Sequence, residues 1–165
     1  MKKKQSSKYN VVVGIPSYNE SDTIPYVAKT VGEGLEEYFP GKKCIIVNVD
    51  NNSPDNTKDA FLGTKTRIEK RYISTAHGVR GKGNNILNLF NFAKDAGAEV
   101  TIVVDADLKS ITKEWIEYLG RPIVEGHDYV IPLYSRHQFD GTITNHICYP
   151  AMFGMLSRDI RQPIG

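Results

Sequence analysis

Apolar positions along this chain follow two alternating periods. Asn10–Ile15 (NVVVGI) and Cys44–Val49 (CIIVNV) are short, β-branched runs with almost no polar residue, the pattern of strands covered on both faces. Val100–Val104 (VTIVV) is the clearest strand of all. Between the first two runs, Ile24, Val27, Val31 and Leu35 recur at spacings of three and four, which marks one face of a helix. Ser21, Asp22 and Thr23 can cap it, Pro40-Gly41 ends it, and Gly32 and Gly34 weaken its propensity. A second helix is predicted from the loop Asn51–Asn56 through about Glu69, then a weak strand at Arg71–Ser74. A third helix starts at Asn84 with Ile86, Leu89, Phe90 and Ala93 inward. A helix near Thr112–Leu119 and a strand around Tyr129–Leu133 follow. This order predicts an α/β fold, a mostly parallel sheet with helices on both faces, in one domain over residues 10–165.

Composition narrows the class. A chain of 165 residues, 40% of them hydrophobic, has enough apolar material for one core. Its 21 Lys+Arg stand against 19 Asp+Glu, and Lys2, Lys3, Lys4 and Lys8 precede any apolar pattern. Residues 1–9 are therefore expected to be a mobile basic terminus; the rest is near neutral and makes no case for nucleic acid. Cys44 and Cys148 lack metal-site spacing and read as buried thiols of a reducing compartment. No run approaches the roughly 20 apolar residues of a membrane span, and no signal-peptide core is present, so a cytoplasmic location is expected.

Candidate chemistry lies where strands end. In open α/β sheets, ligands bind in the crevice beyond the carboxyl ends of the strands. Polar clusters fall at three such ends: Pro16–Glu20, Asp50–Asp55 and Asp105–Asp107. In Asp105-Ala106-Asp107 one carboxylate can accept hydrogen bonds from a ribose while the other holds Mg²⁺ or Mn²⁺ shared with substrate phosphates. Taken alone, the same residues can also simply open a turn. Val49–Thr57 (VDNNSPDNT) reads by itself as an Asx-rich turn and helix cap. Gly81-Lys82-Gly83 before a helix suits a phosphate. It is not a Walker loop, because Asn84 stands where that motif has Ser or Thr. No G-x-G-x-x-G follows the first strand, which argues against a dinucleotide fold.

Together, and in this order, the four motifs resemble the family 2 and related glycosyltransferases of GT-A fold, from Val11 onward. The resemblance implies a three-layer sandwich that binds a nucleotide-diphosphate sugar. It places Pro16, Tyr18, Asn19, Glu20, Asp50 and Ser53 around base and ribose, with Lys82, Asp105 and Ala106 also on the nucleotide. Asp107 is the implied ligand of a divalent cation, Mg or Mn. Gly141–Thr144, Pro150 and Gln162–Gly165 further resemble a pattern of the retaining glucosyl-phosphoglycerate and mannosylglycerate synthases. Thr142 and Asn145 stand where that pattern has a basic and an acidic residue. This second resemblance implies a glycerate-like acceptor, with Arg136, His137 and Thr144 toward it.

The expected activity is hexosyl transfer from a nucleotide-diphosphate donor to a hydroxyl acceptor, with retention preferred. No residue identifies itself as base or nucleophile. A nucleotidyltransferase of similar fold and a non-catalytic nucleotide- or sugar-binding module remain as alternatives. The chain is expected to be C-terminally incomplete, to keep the nucleotide half-site while transferring sugar poorly, and to cover exposed apolar surface by self-association.

Overall fold

A computed structural model describes residues 8–132, 137 and 141–159. The chain divides into two compact units, Met1–Gly126 and His127–Gly165. In the first, strands β1 (Val11–Ser17), β2 (Cys44–Asp50), β3 (Glu69–Ser74) and β4 (Val100–Val103) form one sheet. Its order is β3-β2-β1-β4 and every pairing is parallel. Helices α1 (Ile24–Tyr38), α2 (Thr57–Gly63), α3 (Lys82–Ala96) and α4 (Glu114–Val124) fill the connections.

The two central strands are buried at every residue, which is why they read as unbroken apolar runs. Side chains leave a strand to alternate faces. Val11, Val13 and Ile15 pack with Ile24, Val27, Val31 and Leu35 of α1, Phe61 of α2 and Ile116 of α4. Val12, Ile45, Val47 and Val49 meet Leu89, Ala93 and Ala96 of α3 on the other face. The result is the expected three-layer α/β sandwich. β1 runs to Ser17, through Pro16, at little cost: β4 stops at Val103, level with Gly14, so Pro16 has no ladder bond to lose on that edge.

Four expectations are corrected. Phe90 is 51% exposed, because the buried stripe of α3 runs through Asn85, Leu89, Ala93 and Ala96, and one residue past Leu89 is about 100° further around the helix. α2 ends at Gly63, not near Glu69. Glu69 instead pairs with Ile45 as the first residue of β3, and Lys70 Nζ takes up the open carbonyls of Phe61 (2.8 Å) and Leu62 (2.7 Å). Tyr9 and the backbone of Lys8 belong to the folded unit: Tyr9 is buried beside Val12, its hydroxyl donates to Glu69, and Lys8 N donates to Ala96 O at 2.8 Å. Residues 129–132 form no strand, since Tyr129 is exposed and no neighbouring strand among the described residues pairs with this run; Leu133 lies outside them. Cys44 is buried, which pushes its thiol up to about 11, whereas Cys148 is only half-buried.

In the second unit a π-helical turn, Ile143–Cys148, runs into α5 (Tyr149–Leu156). Tyr149 packs its ring against Phe153 and donates its hydroxyl to Asp159 at 3.0 Å. Among the described residues no helix is long and apolar enough to cross a membrane.

The helix-weakening glycines of α1 prove to be contact points. A Cβ on Gly34 would lie 2.7 Å from the backbone oxygen of Lys113 and 2.9 Å from Cβ of Ile116. Gly34→Ala is therefore expected to push α4 off α1 and to destabilise the protein by about 1–3 kcal/mol, although alanine favours helices. The midpoint of urea unfolding measures this; an unchanged or raised midpoint would contradict it.

Candidate functional site

An all-parallel order delivers the carboxyl ends of β1, β2 and β4 to one edge of the sheet, where their loops meet. A cleft of about 210 Å³ opens there. One wall is Pro16, Ser17, Tyr18 and Glu20; Asn51, Lys82 and Asn85 form another, and Asp105, Ala106 and Asp107 the third. Three segments distant in sequence thus contribute seven of the proposed site residues to one space.

Behind this surface the loops are tied together. Asp50 is completely buried at the end of β2. Its Oδ1 accepts from Ser17 Oγ (2.7 Å) and Ser53 Oγ (2.6 Å), and its Oδ2 from Ser53 N (2.7 Å) and Tyr72 OH (2.9 Å). Ser53 Oγ accepts in turn from Asn19 N at 2.8 Å, with Asn19 in the left-handed region at φ 59°. Glu20 N donates to Thr57 Oγ1 (2.8 Å) and Ser21 N to Asp55 Oδ2 (3.2 Å). Asp55 also accepts from Thr57; burial raises its pKa, but the hydrogen bonds from Thr57 and Ser21 outweigh this and hold it below the ordinary carboxylate value. Asp50, Asn19 and Ser53 therefore do not line the cleft; in this structure they brace the loops that do.

Charge lies on the open side. Lys82, the first residue of α3, places Nζ 2.6 Å from Asp105 Oδ1 in a half-exposed pair. The Asp107 side chain is exposed and has no partner among the described residues. Two hard carboxylates one residue apart, one of them unengaged, fit a Mg²⁺- or Mn²⁺-like ion that draws its remaining oxygens from phosphate and water. Among the described residues no group of three or more His, Cys, Asp or Glu is placed to hold a metal ion.

Ser17, Asn51 and Asn85 were not among the expected site residues. Asn85 carries a readable signal: it is a polar residue, 2% exposed, in the apolar stripe of α3, and its Nδ2 donates to Ser17 O at 3.3 Å. Ser17 and Asn51 lie inside motifs whose neighbours carry the charge. Of the acceptor-side residues, His137 is exposed and Thr144 buried, both in the second unit; Arg136 and Gln162–Gly165 lie outside the described residues.

The sequence profile of glycosyl transferase family 2 matches residues 12–161, and the chain belongs to that family. No curated protein sequence matches it. Among solved structures it is similar to a mycobacterial protein, with a TM-score of 0.72 at 20% identity over 95% of this chain and 51% of that one. It is also similar to glucosyl-3-phosphoglycerate synthase from Mycobacterium tuberculosis in complex with Mn²⁺, uridine diphosphate and glucosyl-3-phosphoglycerate. There the TM-score is 0.70 at 17% identity, over 95% and 55% of the two chains. The same enzyme with Mn²⁺, uridine-diphosphate-glucose and phosphoglyceric acid gives 0.65 at 18%, over 88% and 50%. This chain spans about half the length of those chains, and what it shares with them at this identity is the fold.

The braced carboxylate makes a measurable prediction. Burial, and then the bond and charge of Asp50, push the Tyr72 phenol up to about 12. The stabilisation it gives by staying neutral is full below its ordinary value of 10.0 and is lost as pH rises through about 12. Asp50→Ala should lower this ionisation toward 10.0 and, by leaving buried donors unpaired, destabilise the protein by about 1–3 kcal/mol. Phenolate absorbance against pH and urea unfolding read the two effects; an Asp50→Ala protein with unchanged stability would refute the bracing role.

Proposed function

We propose that the cleft is the donor site of a transferase that moves a hexose from a nucleotide-diphosphate sugar to a hydroxyl acceptor with the help of a divalent cation. The observation that carries this reading is the convergence of Pro16–Glu20, Lys82 and Asp105–Asp107 on one cleft at the carboxyl edge of a parallel sheet. Family membership supports transfer of a sugar. The cation and the uridine-diphosphate sugar held by structurally similar enzymes support the choice of cofactor and donor class.

Breaking the bond at the anomeric carbon leaves oxocarbenium character on the sugar and negative charge on the departing diphosphate. Lys82 offers that charge a fixed ammonium in the cleft, held by Asp105 until the phosphate arrives. A divalent ion bound at Asp107 supplies a Lewis acid for the same diphosphate. Tyr18, 55% exposed on the cleft wall, offers its ring to the base, and Pro16 packs beside it. Asp50 and Ser53 act on the donor through the loop they hold. A glycerate-like acceptor, which the second motif resemblance assigns to His137 and Thr144, extends the proposal, supported by the phosphoglyceric acid bound in a similar structure.

Calorimetry with UDP-, GDP- and ADP-sugars, each with and without Mn²⁺, tests the donor class. One nucleotide should bind, more tightly with the ion. Asp107→Ala should abolish that increment and leave the unfolding midpoint unchanged. Equal Mn²⁺-dependent binding by this variant would remove Asp107 from the metal site.

A further inference from the structure

We infer that Asn51 is a positioning residue for the diphosphate, because it ties the loop that delivers Lys82 to the end of β2; this rests on the donor reading above. Asn51 directly follows β2 and is half-buried on the cleft wall. Its backbone N–H donates to Ser17 O at 3.0 Å, which fixes it to the end of β1. The neighbours of its side chain dictate the amide orientation, since a nitrogen must face acceptors and an oxygen a donor. So oriented, the nitrogen donates to Val79 O (3.1 Å) and Thr75 Oγ1 (3.3 Å), and the oxygen accepts from Gly81 N at 3.2 Å.

One side chain therefore holds the backbone on both sides of Arg80. Gly81 is the residue at which the loop turns into α3, with φ 106°, a conformation open to glycine. Lys82 comes next, so the direction of its side chain into the cleft follows from how Gly81 is held. Other bonds fasten the loop at its ends: Thr75 N to Asp50 O (2.9 Å), Asn52 Nδ2 to Ala76 O (3.3 Å) and Asn84 Nδ2 to Arg80 O (2.8 Å). Asn51 alone among these reaches both Val79 and Gly81. A carboxamide suits the task, having donor and acceptor in one plane; a carboxylate has only acceptors and would set an oxygen against Val79 O.

The experiment compares wild type, Asn51→Ala, Asn51→Asp, Lys82→Ala and Asn51→Ala/Lys82→Ala. Affinity for uridine diphosphate with Mn²⁺ is measured by calorimetry, and amide exchange at Gly81 in the free protein. Asn51→Ala should speed Gly81 exchange and weaken binding, each about tenfold, the equivalent of one hydrogen bond. In the Lys82→Ala background it should cost less than about twofold, because coupled residues are not additive. A role in general stability alone would cost the same in both backgrounds. Asn51→Asp, of the same shape, should bind as weakly as Asn51→Ala. If Asn51→Asp binds like wild type, Asn51 touches the base instead and the inference falls. Gly81 exchange unchanged in Asn51→Ala also overturns it. Wild type that fails to bind uridine diphosphate counts against the donor reading, and Gly81 exchange still decides the part played by Asn51.

Discussion

A carboxylate with no access to solvent has to replace every hydrogen bond that water would give it, and Asp50 does so with four donors from three segments. Ser17 brings the end of β1, Tyr72 brings β3, and Ser53 brings the loop after β2. The geometry is self-consistent: Ser17 Oγ accepts from Asn48 Nδ2 at 2.8 Å while donating to Asp50, and Ser53 Oγ accepts from Asn19 N while donating to Asp50. Each hydroxyl is used in both directions. Moving any one loop would strip a donor from a buried charge, so the loops hold their places together.

From that anchor the cleft acquires two layers with different duties. The inner layer, Asp50, Ser53, Thr57 and Tyr72, is buried or half-buried and hydrogen-bonded within the protein. The outer layer, Tyr18, Lys82, Asp105 and Asp107, is open, and its Lys82–Asp105 ion pair is exposed enough to contribute little to stability. Such a pair is easily exchanged for a phosphate or a metal ion. A site works when rigid supports hold exposed, exchangeable groups, and here the division between support and surface falls even between adjacent residues. Asp50 and Asn51 are neighbours, yet the first faces the interior and the second faces the cleft.

The layered fold, the family and the strand-end location of the cleft were readable from the sequence, because each rests on local information. Buried parallel strands have to be apolar throughout, helices between them have to carry a stripe, and a parallel order has to bring the loops to one edge. The Asp105-Ala106-Asp107 and Gly81-Lys82-Gly83 segments announce themselves by putting charge and glycine at those ends. What residue type alone does not carry is which way a side chain points once neighbouring elements compete for space. Phe90 looks inward by its hydrophobicity but lies a third of a turn away from the stripe that α3 presents to the sheet. The glycines of α1 look like defects until Gly34 is seen to lie against the start of α4 and Gly32 against Thr66.

Asp50 and Asn51 show the same limit within the site. By composition either can face a ligand, and the motif resemblance favours Asp50. In this structure Asp50 is buried and satisfied from within the protein, for a reason of hydrogen-bond supply: Ser17 and Tyr72, 33 and 22 residues away, converge on it. Asn51 is left on the cleft wall with the loop of Val79 and Gly81 in reach. The sequence by itself determined the sheet, its core and the edge at which chemistry gathers, since these follow from periodicity and strand order. Only the tertiary structure decided which polar residues support and which are presented, because that depends on donors and acceptors brought together from distant parts of the chain.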